Sequence, residues 1–373
     1  MKTKKIVLFF ILIFPLLAAA QSKRPVDIVI CADLGGTTNG LLESLRENIW
    51  DLITSLDAAY DDADIRIGIV AHGRPSFGKE DGYCKVLIDL TQDIDLLGAQ
   101  LFSRSFFLEK GKSNPAKAVE ISLNRLKWAD DPDAVKILYV IGNRSLKFDR
   151  ESMMAMAREK EIKVNVIYFR KYSRARELQE WQDLATLGGG ELMMANGSFR
   201  RAANYPVFDS GELIEKNSAL NATYITYAPG GDSRLNMQAQ LDEDAAIIGT
   251  YLLQSRILMK ATRIYQGSNF FWDLVDQNNQ SEVKVNKLAR ENLPENIRNM
   301  ENDSLKAHIA AKKNERKSIM ADITAIGKKR NQYLGEKTKA LDIKEDEDTG
   351  KILIESIRKI LASKGLKTTP GIQ

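Results

Sequence analysis

From Val26 to Asp33 the chain runs through an apolar, β-branched stretch that stops at a carboxylate; after the small residues Gly35 and Gly36, helical spacing begins at Leu41, Leu45, Ile49, Leu52 and Leu56. The pattern predicts a strand, a loop and a helix. In an open α/β sheet, ligands sit in the crevice at the carboxyl ends of the strands, so Asp33 and Thr37 fall where binding or chemistry is expected.

The segments that follow keep the same plan. Ile65–Ala71, Tyr83–Leu90, Val135–Asn143 and Lys163–Phe169 read as strands, Gly111–Val119 as a loop entering a helix, and Trp181–Leu192 as a helix and a last strand. Their order, together with the opening Asp33-Leu34-Gly35-Gly36-Thr37, resembles a von Willebrand factor type A domain of the exported bacterial type. The resemblance covers residues 24–196, about half the chain. It implies an α/β fold with a doubly wound, mostly parallel sheet and one antiparallel edge strand, Tyr83–Leu90, followed here by an all-α C-terminal region.

In family members that bind a divalent ion, two serines and an aspartate on the first loop, a threonine on a second loop and an aspartate after the fourth strand surround it. One coordination position stays open for a partner's carboxylate. Matched position by position, Asp33 is kept, Gly35 replaces the first serine, and Thr37 and Ser113 keep hydroxyls. Gly142 stands where the last aspartate belongs. The resemblance therefore implies a degenerate adhesion site in which Asp33, Thr37 and Ser113 hold Mg2+, Mn2+ or Ca2+ weakly or not at all, since Asp33 is its one anionic ligand. Asn143 is expected to turn or cap the chain.

The start of the chain bears on location. A basic lead ends at Lys5, an apolar run spans Ile6–Leu17, and small residues Ala18–Ala20 precede Gln21. This reads as a secretory signal peptide over residues 1–20, too short to span a bilayer, so the mature chain is expected in the periplasm or secreted, with no transmembrane helix. In the family's strand order Cys31 and Cys84 lie about 10 Å apart, beyond the reach of a disulfide, which implies two buried free thiols.

Nothing in the motifs coheres into an enzyme. His72 follows a strand and His308 lies in a charged helix, neither with a Ser or Cys partner at a recognisable motif, and the glycines at 188–190 precede a strand and not a phosphate-binding helix. Asp130–Asp133 reads as a solvated turn. A net charge of +4 over 373 residues, with no basic patch interleaved with aromatics, gives no support to nucleic-acid binding.

Past Asn196 the character changes. Residues 207–290 read as helices packed on or beside the sheet, with a start at Ser210, a long helical stretch from Leu235 to Tyr265 and an apolar patch at Phe270–Val275. Residues 291–373 read as charged amphipathic helices: Asp303–Asp342 as one arm of a helical hairpin or coiled coil weakened by Gly327 and Gly335, or as a solvent-facing helix packed through one stripe on its own chain, which the interrupted heptad favours, and Lys351–Leu361 as a short helix closing the bundle. The function expected is an exported, non-enzymatic binding or scaffold protein that meets another extracytoplasmic protein through Asp33, Gly36, Ser113 and Asn143. The alternatives are a regulatory subunit of an extracytoplasmic enzyme and a purely structural envelope protein without metal.

Overall fold

A computed structural model describes residues 23–35, 41–102, 109, 111–169, 175–195, 206–280, 283–341 and 349–366. The leader expected over residues 1–20 lies outside these. Six strands form one sheet: β1 (Arg24–Asp33), β2 (Ala63–His72), β3 (Cys84–Thr91), β4 (Val135–Gly142), β5 (Ile162–Phe169) and β6 (Gly189–Ala195), in the order β3-β2-β1-β4-β5-β6. Every pairing is parallel except β2 with β3. This is the doubly wound sheet with an antiparallel edge strand that the motif order implied.

A central parallel strand is covered on both faces, which is why β1 carries a continuous apolar run. Alternation then divides the core in two. Val29, Cys31, Val70, Leu138, Val140 and Val166 face α3 (Pro115–Asn124), α4 (Arg150–Glu159) and α5 (Ala175–Leu187). Ile28, Ile30, Ile67, Ile137 and Ile167 share a larger core with α1 (Leu41–Ala59), α2 (Ile94–Leu101) and the helical half of the chain. With β2 between them, Cys31 and Cys84 are both buried and free. Burial pushes both thiols up to about 12.

The helical half comprises α6 (Gly211–Asn221), α7 (Gly231–Ile248), α8 (Thr250–Lys260), α9 (Arg263–Ser268), α10 (Leu274–Gln280), α11 (Glu295–Arg298), α12 (Asn302–Ala340) and α13 (Thr349–Ser363). The single long stretch expected from Leu235 to Tyr265 is divided at Gly249 and again at Thr262, whose hydroxyl caps α9 by accepting from the Tyr265 N–H at 3.2 Å. By contrast α12 runs unbroken for 39 residues through both of its glycines. Gly327 lies against Leu258, whose Cδ2 would be 2.5 Å from a Cβ at that position, so close packing accounts for the missing side chain.

The apolar stripe of α12, including Leu305, Ile309, Ile323 and Ile326, is buried mainly against α6, α8 and α10 of its own chain. One expectation about the last helices is corrected. The short helix α13 does not close that bundle; it crosses to the sheet and lies along α1 and β6. There Leu353, Ile357, Ile360 and Leu361 are buried, Tyr139 Oη donates to Ser356 Oγ at 2.8 Å, and Tyr60 Oη donates to the Arg358 carbonyl at 2.9 Å. An amphipathic stripe reveals that one face is covered without saying by what.

The seam between the two halves is polar as well as apolar. Arg256 of α8 is fully buried; its Nε donates to Asp242 at 2.8 Å and its Nη2 lies 2.9 Å from Asp95 of α2. Its guanidinium also sits 5.2 Å from the ring centroid of Trp50 on α1. Lys260 completes the cluster, donating to Asp242 at 2.7 Å and to Asn217 at 2.8 Å. A second buried cluster joins Arg316 of α12 to Asp273 and Asp276 at 2.6 and 2.7 Å.

Candidate functional site

The carboxyl ends of β1, β2 and β4 bring Asp33, His72 and Gly142 to one rim, with Asp33 and His72 in register on adjacent strands. Helix α3 adds Ser113 from below its first turn: Asn114 is the N-cap, accepting from the Lys117 N–H at 3.2 Å, and Pro115 opens the helix. Asn143 follows β4 and is buried. Gly36 and Thr37, the other two residues expected at this rim, lie outside the described residues.

Backbone packs closely around Asp33. Its carboxylate is 1% exposed, and Oδ1 accepts from the Gly35 N–H at 2.9 Å. A Cβ on Gly35 would meet the Gly73 carbonyl oxygen at 2.9 Å and Asp33 Oδ1 at 3.0 Å. One on Gly73, where φ is +90°, would lie 2.4 Å from the same Oδ1. Gly111 presses hardest: its Cβ would fall 1.1 Å from the Gly73 carbonyl oxygen. The loop that carries these contacts is tied down by Glu109, which accepts from Arg74 at 2.7 Å and from the Ser76 N–H at 2.9 Å.

At Gly142, where the resemblance calls for an aspartate, a Cβ would stand 3.1 Å from the Trp181 ring and 3.3 Å from Asp33 Cβ. Trp181 is anchored there by its own N–H, which donates to the Arg144 carbonyl at 2.7 Å. The described donors therefore fit a divalent cation poorly. They supply one carboxylate already bonded to backbone and one hydroxyl, where such ions take six or more oxygens. Among the described residues no group of three His, Cys, Asp or Glu side chains is placed to hold a metal.

The hydroxyl of Ser113 turns instead toward His72. Its Oγ lies 3.4 Å from His72 Nδ1, which the Asn114 N–H also approaches at 3.4 Å, so the imidazole has a serine partner that the motifs did not reveal. Both contacts are long for hydrogen bonds. His72 is 1% exposed, and burial lowers its pKa although Asp33 pulls the other way. The buried ring links β2 to the start of α3. Sequence reasoning missed this pair because 41 residues separate its members.

Strand order, the antiparallel edge and the rim at the strand ends define a von Willebrand factor type A fold over the first half of the chain. Solved structures of similar fold include the conserved hypothetical protein BatB from Bacteroides thetaiotaomicron, 17% identical, covering 48% of this chain and 93% of that one with a TM-score of 0.35. An aerotolerance-related membrane protein from Bacteroides fragilis is 15% identical over 46% of this chain and 92% of its own, with a TM-score of 0.33. Proximal thread matrix protein 1 from the mussel byssus, in the form with a zinc-occupied MIDAS motif, is 10% identical, covering 48% of this chain and 42% of that one with a TM-score of 0.35. No protein-family model and no curated protein matches the chain. Among the described residues no helix is long and apolar enough to cross a membrane.

Proposed function

We propose that this is an exported, non-enzymatic scaffold that docks another extracytoplasmic protein on the rim around Asp33, Gly36, Ser113 and Asn143. The helical half braces the sheet from the other side. The observation that carries this reading is the closure of the rim by backbone: Gly35, Gly73 and Gly111 pack about a carboxylate already bonded to an N–H, an arrangement built to hold a surface still. Asp33 and Asn143 are themselves buried, so in this reading they fix the backbone of the rim, which then loses little freedom when a partner lands on it.

In this reading Mg2+, Mn2+ or Ca2+ binds weakly or not at all. Calorimetric titration with each ion is expected to be silent, and heat that disappears in Asp33→Ala would restore the metal site. The docking face is tested by cross-linking and capture from the envelope fraction with wild type and with an Asp33→Ala, Ser113→Ala double variant. Loss of a partner in the double variant supports the rim, unchanged capture moves the interface to the helices, and turnover of any substrate would overturn the non-enzymatic reading.

A further inference from the structure

At the opposite end of the sheet, below the amino-terminal ends of β1, β4 and β5, a cavity of about 400 Å³ is lined by five cations, Arg24, Lys136, Arg158, Lys163 and Lys364, against one carboxylate, Glu161. We propose that this cavity binds a small, soluble, multiply charged anion carrying phosphate groups.

Three facts argue for a ligand. First, three of the cations contact carbonyl oxygens, which leave their charge in place: Arg24 Nη1 donates to the Lys364 carbonyl at 2.6 Å, Arg158 Nη1 to the Leu187 carbonyl at 2.6 Å, and Lys136 Nζ reaches the Lys160 carbonyl at 3.4 Å. None of the five makes an ion pair with a carboxylate among the described residues. Glu191, whose charge Lys163 feels, is occupied by Lys359 at 2.7 Å.

Second, fold architecture explains only part of the cluster. Arg158 ends α4 and Lys364 follows α13, where cations suit the negative end of a helix. Arg24, Lys136 and Lys163 sit at strand starts, where no such field calls for them. Third, each guanidinium already donates to a carbonyl oxygen, which restrains its planar donor group before an anion enters the cavity. The volume falls within the range of small-molecule sites. A phosphate bearing two or more negative charges matches the excess of cations and the donor geometry.

Pyrophosphate and inorganic phosphate are the probes, titrated calorimetrically into the full chain at low and at physiological salt. Pyrophosphate is expected to bind one to one and more tightly than phosphate, with affinity falling as salt rises. A Lys136→Gln, Lys163→Gln double variant should weaken it by about tenfold or more, one charge-assisted contact being lost at each position. Glu161→Gln should tighten binding, a gain that misfolding cannot mimic. Equal affinity in wild type and all variants, absence of heat at millimolar pyrophosphate, or binding confined to phosphatidylglycerol vesicles with no response to the free anion would each overturn the proposal.

Discussion

Arg256 of α8 and Asp95 of α2 meet at 2.9 Å with both side chains buried, and through them the helical half grips the sheet. Removing one member leaves the other's charge stranded in a dry environment, which generally costs about 3–5 kcal/mol. Arg256→Met also removes one of the two cations on Asp242, which keeps Lys260 at 2.7 Å. In urea unfolding, Arg256→Met should lose about 3–5 kcal/mol, whereas Asp95→Asn, which removes the charge but keeps acceptor capacity for Tyr265, should lose less. Losses under about 1 kcal/mol for Arg256→Met would mean that water reaches the seam.

The glycines of the chain divide into two kinds, and alanine tells them apart. Gly111→Ala places a methyl 1.1 Å from the Gly73 carbonyl oxygen and must force the rim loops apart, with an expected loss of about 3 kcal/mol or more. Gly335, inside α12 with nothing within 4 Å of a Cβ, should instead gain about 0.5–1 kcal/mol as alanine, the ordinary helix preference. Chemical denaturation of the two variants side by side gives opposite signs if the packing at the rim is as described.

Burial of neutral His72 makes stability depend on pH with a definite sign. Its folded pKa lies below the unfolded value of 6.5, so the unfolded chain takes up the proton first. The contribution of the neutral ring is whole above 6.5 and is lost as pH falls from there toward the folded pKa. Asp242 adds to the trend at lower pH. Although burial opposes ionisation, Lys260 and Arg256 hold its carboxyl well below the usual range, and the stability this gives disappears as pH falls below the unfolded value of 3.8. Thermal melts from pH 7.5 to 2.5 should therefore decline, and His72→Gln should flatten the upper part of that slope while leaving the part below about pH 4. An unchanged slope would show that His72 titrates normally.

Deleting residues 349–373 should unfold the sheet domain and not merely shorten the protein. Four buried apolar side chains of α13 leave with the deletion, Leu353, Ile357, Ile360 and Leu361. At about 1.5–3 kcal/mol each, their loss rivals the whole stability of a typical domain. Circular dichroism and proteolysis of the truncated chain check this, and a cooperatively folded, protease-resistant product would show that α13 is dispensable.

How far the fold was legible follows from what each pattern encodes. The sheet could be read because β1, β2, β4 and β5 each carry an apolar run bounded by turns, and their sequence order fixes a topology once the motif at Asp33 is recognised. Helix α12 was legible as a helix, but Gly327 looked like a weakness and is a fitting surface for Leu258, a fact that lives in the partner. The destination of α13 was hidden for the same reason. At the rim, Asp33, Ser113 and Gly142 were placed by their motif positions, while the tie of Ser113 to His72 and the seat of Trp181 at Gly142 depend on contacts between residues distant in the chain. The buried cations Arg256 and Arg316 gave no sign of burial, since arginine on a helix ordinarily points to water.

The Tyr60 hydroxyl and the Arg358 carbonyl, 298 positions apart, are bonded neighbours. The core of the sheet is therefore closed by a segment far downstream in the sequence. Until α13 docks, the part of the isoleucine-rich face beside α1 and β6 lacks its cover, even with α1, α2 and the other helices packed on the rest of it. The last step in sealing that core is a long-range one, of the kind that slows folding.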